Sequence, residues 1–175
     1  LLVMLRQGGV SYRIASLGGG QAKNAIPAFG SAVIAVSAGD EDAAAEILER
    51  FRAEFTDAYG NIEPDGVFSA DLSSSAPERV LKAETGYALA ELMAVVPNNV
   101  HTMSPFVDGL VESSANLGVA SVDDEEIRFT VFSRSSVVYQ ATQLGLICSA
   151  LAGSFGFAFE SEGHIPGWAV NPNSR

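Results

Sequence analysis

Val10-Ser11-Tyr12-Arg13-Ile14-Ala15-Ser16-Leu17, followed at once by Gly18-Gly19-Gly20, decides how the rest of this chain is read. Val10, Tyr12 and Ile14 fall on one side of an extended backbone and Ser11, Arg13 and Ala15 on the other, the period of a half-buried strand. Three glycines then permit a sharp reversal through positive φ and end that strand. Ser31-Ala32-Val33-Ile34-Ala35-Val36 resumes the extended character, so the two runs are expected to pair as an antiparallel hairpin. Between them lies Lys23-Asn24-Ala25-Ile26-Pro27, where an amide and a cation stand at the mouth of a strand and Pro27 removes one ladder donor. Asn24 has two readings at this point: a turn residue, because Asn and Gly dominate turns for conformational reasons, or a side chain presented to something else.

Outward from the hairpin, the predicted elements alternate. Leu1 to Leu5 resembles the remnant of a helix begun upstream, so an excised fragment is expected. Asp40 is placed to cap a helix over Glu41–Tyr59, in which Ala44, Ile47, Leu48, Phe51, Phe55 and Ala58 keep helical spacing and the charged residues lie mainly elsewhere. Asp40, Glu41 and Asp42 suit its positive end, and Gly60-Asn61 its stop. Residues 67–72 read as a short third strand. Ser75-Ala76-Pro77-Glu78 has the form of a capping box opening a second helix, with Leu81, Thr85, Ala88, Leu89, Leu92 and Val96 as its stripe and Pro97 as its end. Residues 106–120 and 127–134 read as a second hairpin joined by the acidic run at 123–126, with Ile127, Phe129 and Val131 on one face. A last helix carries Val137, Ala141, Leu144, Cys148 and Leu151 on one face and stops at Gly153, and residues 155–159 are expected to return as an outer strand.

Strand pairs interleaved with amphipathic helices predict an α+β fold, an antiparallel sheet with helices packed on one face, in a single domain over residues 1–175. The other face of that sheet would be open to a partner.

Composition narrows the function classes. The chain has 175 residues, 47% of them hydrophobic, and a mean hydropathy of +0.21, a globular composition. Twenty-one acidic residues against ten basic give a net charge of −11, a field that repels phosphate backbones, so nucleic acid is set aside. No apolar run approaches the roughly 20 residues of a membrane span, and no membrane partner is expected; the chain reads as soluble and cytoplasmic. One cysteine, Cys148, cannot form an internal disulfide and reads as a small buried hydrophobe.

Familiar chemistry is sparse. His101 and His164 form no close pair, so a self-contained zinc site is not expected. The acidic run at 123–126 lacks the alternating ligands of a calcium loop, and the triple glycine leads into a strand and lacks a phosphate-loop frame. Ser133 to Ser136 lack a nucleophile elbow. Arg134 ends a hydrophobic strand, where a guanidinium can grip a carboxylate with two parallel hydrogen bonds; the competing reading is a surface ion pair. Asn24 and Arg134 together make a neutral amide and a fixed cation, both at strand ends, suited to carboxylate recognition.

Read in order, Gly18-Gly19-Gly20, Asn24-Ala25-Ile26-Pro27, Pro97-Asn98-Asn99-Val100, Val111-Glu112-Ser113-Ser114-Ala115-Asn116-Leu117, Ser133-Arg134-Ser135-Ser136 and Pro166-Gly167-Trp168 resemble the lid domain of aminoacyl-histidine dipeptidases. These are carnosinase-like enzymes, relatives of carboxypeptidase G, and the likeness covers nearly the whole chain. It implies a ferredoxin-like lid with an insertion. It also implies a two-domain metallopeptidase, whose separate catalytic domain holds two zinc ions and a glutamate general base while the lid closes over a dipeptide ending in histidine. The lid itself would bind no metal and hold no catalytic group. By that likeness Asn24 and Arg134 would face the substrate and hold its carboxylate or carbonyl oxygen, and lids of this kind invite a homodimer. Lys23 stands where the family pattern has arginine and Ser133 where it has glutamine. The family's Gly-His-Ser-Gly segment would precede Leu1, and His101 does not match the family histidine. Two other readings stay open: a small-molecule-binding regulatory module, and a self-association module with no peptidase role.

Overall fold

A computed structural model of the chain describes residues 1–73, 75–123 and 126–163. Among these described residues, four helices and five strands follow in the order α1 (Leu2–Gln7), β1 (Tyr12–Gly19), β2 (Gly30–Val36), α2 (Glu41–Tyr59), α3 (Ala83–Val95), β3 (Asn99–Met103), β4 (Val111–Val122), β5 (Ile127–Ser135) and α4 (Val138–Ser154). The fold is α+β on an antiparallel sheet, as expected. Residues 1–15 and 33–91 gather into one compact unit, and residues 16–32 with the chain from Leu92 onward into a second.

In the first unit the alternation of β1 decides the core. Val10, Tyr12 and Ile14 are buried, together with Leu5 of α1, Ala44 and Ile47 of α2, and Leu89 and Ala90 of α3. The Tyr12 ring meets the edge of Tyr87 at 5.1 Å between centroids, and the Arg6 guanidinium covers the Tyr87 ring at 4.5 Å while pairing with Glu91. The α2 stripe lies against the unit from Ala44 to Phe55, and Ala58 is exposed. Phe51, Phe55 and Tyr59 stack along that helix, and Phe68 closes edge-on over Phe51 at 4.9 Å.

Three local expectations in this unit fail for identifiable reasons. Asp40 is the N-cap residue of α2, but its side chain makes no capping bond; Oδ2 accepts from the Ser11 backbone N–H at 2.9 Å instead, tying the helix start to β1. Residues 67–72 form no strand: Phe68 is held by Phe51, while Val67 and Leu72 stand 82% and 76% exposed. The second helix begins at Ala83 and not at Ser75, because the Leu81 N–H donates to the Ile14 carbonyl at 2.7 Å. A backbone donor committed to β1 keeps the approach to α3 extended.

In the second unit β4 is the organising strand. On one side it pairs with β5 along Ser113↔Ser135 to Val122↔Ile127; on the other it pairs with β3 through Ala115 to Val111, and with β1 through Val122 to Ala120. The β4 register to β5 slips between Leu117 and Val119. Burial slips with it: Ser113 and Ala115 are buried, then Gly118, Ala120 and Val122. One extra residue therefore sits opposite Val131, a β-bulge that shifts which positions face inward. Ile127, Phe129 and Val131 do share a face, since they pair with the inward side of β4.

The second hairpin departs from expectation at its start. Residues 99–103 form β3, and β4 begins at Val111 after a turn in which Ser104 N–H bonds the Leu110 carbonyl at 2.8 Å. Gly153 lies inside α4, and Gly156, at φ +79°, ends it. Gly156 N–H donates to the Gly153 carbonyl and Phe157 N–H to the Ala152 carbonyl, the two bonds of a Schellman stop. Phe157 then packs on Phe129 at 6.4 Å, so residues 155–159 form no outer strand. Cys148 is half-buried on α4, where burial pushes its thiol pKa up. His164 and Pro166-Gly167-Trp168 lie outside the described residues.

Candidate functional site

Asn24 occupies an exposed turn between β1 and β2, closed by Ala25 N–H bonding the Ala22 carbonyl at 3.2 Å. The turn does not stand free. Asn116 of β4 donates its side-chain amide to the Ala25 carbonyl at 2.6 Å and the Lys23 carbonyl at 3.3 Å, the two peptide groups that flank Asn24. Gly118, in the bulge, makes that approach feasible: a Cβ there would lie 2.7 Å from the Lys23 carbonyl carbon. Gly20 turns away from β1 at φ +76°, and a Cβ there would lie 2.8 Å from the Gly118 carbonyl carbon. Only glycine serves at either position, because the backbones themselves are in contact. Gly20 N–H bonds the Phe29 carbonyl at 3.1 Å, closing the neck of the loop. Asn98 Oδ1 accepts the Leu117 N–H at 3.1 Å, giving a partner to a bulge amide displaced from the regular ladder.

Arg134 lies near the end of β5, exposed, directly opposite Ser114. Phe132, two residues earlier on the same face, pairs with Asn116. The Arg134 guanidinium stands over the Phe132 ring at 5.2 Å, and among the described residues it lies in no salt bridge. The ion-pair reading of Arg134 finds no partner there, and the aromatic face orients the cation without neutralising it. Asn116 and Ser114 are two residues apart, about 7 Å along the strand. The sheet thus brings the Asn24 turn and Arg134 to one face, joined through Asn116 and Phe132. Lys23 pairs with Glu162 at 3.6 Å, both well exposed.

On the inward face a second polar group gathers. Thr102 Oγ1 donates to Gln140 Oε1 at 2.7 Å, Gln140 Nε2 donates to Glu112 Oε2 at 3.0 Å, and Ser113 bonds both Gln140 and Ser135. A cavity of about 180 Å³ opens beside it, lined by His101, Thr102, Ser113, Gln140, Gln143 and Leu144. This network ties β3, β4, β5 and α4 together. Among the described residues no three His, Cys, Asp or Glu side chains gather where a metal ion would sit.

Over 165 residues, 94% of its length, the chain is 26% identical to the cytosol non-specific dipeptidase of Escherichia coli (strain K12), and covers 34% of that protein. The chain is similar to dipeptidases. Its fold superposes on the crystal structure of the aminoacylhistidine dipeptidase from Vibrio alginolyticus with a TM-score of 0.86 at 25% identity, over 99% of this chain and 36% of that one. No protein-family model matches. The chain therefore spans about a third of the length of the dipeptidases it matches. No helix among the described residues is long and apolar enough to cross a membrane.

Sequence reasoning named Asn24 and Arg134 but gave no role to Asn116, Asn98 or Phe132. The signal for Asn116 was present: an amide two residues before a glycine inside an apolar strand marks a bulge or a close backbone approach.

Proposed function

We propose that this chain is the lid of a dipeptidase that hydrolyses dipeptides ending in histidine, with Asn24 and Arg134 facing the substrate. The observation that carries this reading is the match of nearly the whole chain to about one third of two dipeptidases, in sequence and in fold. The open face of the second unit supports it. Arg134, held over Phe132 with its guanidinium hydrogens free of an acidic partner among the described residues, suits a two-point grip on the substrate carboxylate. Asn24, on a turn clamped by Asn116, offers a preoriented amide hydrogen to a carbonyl oxygen that gains negative charge during attack. Both groups bind and orient, and a lid that holds the peptide in place lowers the barrier by removing its freedom to misalign. The zinc and the general base that the resemblance implies would be supplied by a catalytic domain outside this chain.

Purified alone and supplied with zinc and a dipeptide ending in histidine, the chain is expected to give no turnover; measurable hydrolysis sinks the assignment. A second reading, self-association, is favoured by Val138, Tyr139, Leu146 and Ile147 of α4, large apolar side chains 45–70% exposed. Sedimentation of the chain tests self-association, and a dimer would leave the lid reading intact. Saturable calorimetric binding of free amino acids by the isolated chain would instead favour a regulatory module.

A further inference from the structure

We infer that Asn116 is a positioning residue for Asn24, setting the site through backbone carbonyls without touching the ligand itself. This rests on the reading of Asn24 as a substrate-facing group. Asn116 spends both side-chain amide hydrogens on the Lys23 and Ala25 carbonyls, one on each side of Asn24. A peptide held at both flanks has its side-chain origin fixed in two directions, whereas the turn's own bond, Ala25 N–H to the Ala22 carbonyl, closes it without fixing it to the sheet. The anchor is in turn fixed: the bulge after Asn116 is pinned by Asn98 Oδ1 on the Leu117 N–H, and Gly118 allows the Lys23 backbone to lie against the strand. Phe132, the cross-strand partner of Asn116, carries Arg134 over its ring, so one pair of residues on adjacent strands sets the spacing between amide and cation. The turn is otherwise exposed, from Lys23 through Gly30, with little apolar contact to hold it. Two hydrogen bonds are thus its main tether to β4.

Asn116→Asp keeps the size of the side chain but replaces the donor with a carboxylate that both carbonyls repel. In the 175-residue chain, the Ala25 amide is expected to exchange with solvent at least about 10-fold faster in Asn116→Asp and Asn116→Ala than in the parent, as a lost tether requires. An unchanged rate overturns the clamp. In the intact dipeptidase, Asn24→Ala and both Asn116 variants are expected to lower kcat/KM by about 10- to 100-fold, the scale of a misplaced orienting group. The double variant Asn24→Ala with Asn116→Ala is expected to fall no further than Asn24→Ala alone, because the second change removes only what the first has already lost. If Asn24→Ala is impaired while Asn116→Asp keeps full kcat/KM, or if the two losses multiply, positioning is refuted and the substrate-facing reading survives. If Asn24→Ala itself is fully active, the substrate-facing reading fails and this inference fails with it.

Discussion

Tyr12 shows what a single residue contributes and what it withholds. Its ring is 2% exposed and packs on Tyr87, yet its hydroxyl has no hydrogen-bond partner among the described residues. A buried hydroxyl without a partner costs about 1–3 kcal/mol. Tyr12→Phe is therefore expected to raise the urea midpoint, by about 1 kcal/mol of stability once lost packing is allowed for. Burial, reinforced by Tyr87, pushes the Tyr12 pKa up to about 12. The folded chain then keeps its phenolic proton where the unfolded chain has lost it, so stability falls as pH rises from about 10 to 12. Tyr12→Phe is expected to remove that part of the fall, as read by denaturation at each pH. Asn24 and Arg134 became candidates at this same scale because a polar side chain at a strand end stands out against apolar neighbours. For Asn116 only the glycine two residues on gave a signal, of a close backbone approach, and the two carbonyls it binds lie 93 and 91 residues away in sequence.

Among elements, periodicity made β1 and α2 readable: Tyr12 and Ile14 fall inward, and α2 spans Glu41–Tyr59 as expected. Where an element depends on a distant partner, local pattern misleads. Residues 75–82 look like a helix start until Leu81 N–H finds the Ile14 carbonyl. Residues 99–103 show no alternation, and Asn99 even adopts φ +101°, yet β4 recruits them as β3. The bulge at Leu117–Val119 is the element on which the loop depends. Gly118→Ala forces a methyl against the Lys23 backbone, and a clash of this kind costs about 1–3 kcal/mol. It is expected to lower the urea midpoint accordingly and to speed amide exchange across residues 20–29. Unchanged exchange there would mean that the loop is held by something other than contact with β4.

For the whole molecule, the α+β class and the antiparallel sheet were accessible from element order, and the likeness to dipeptidases from ordered short motifs. What no motif displayed was how one face of a sheet carries a cation on an aromatic ring beside a clamped amide turn. The central claim, that Arg134 receives the substrate carboxylate, is tested most directly by steady-state hydrolysis of a dipeptide by the intact dipeptidase carrying Arg134→Ala. Loss of a charged hydrogen-bond pair worth about 1.5–3 kcal/mol predicts a KM raised roughly 10- to 100-fold. Cleavage of the same peptide with its C-terminus amidated should then be equally slow in the two enzymes. An unchanged KM for the free-carboxylate peptide would contradict it.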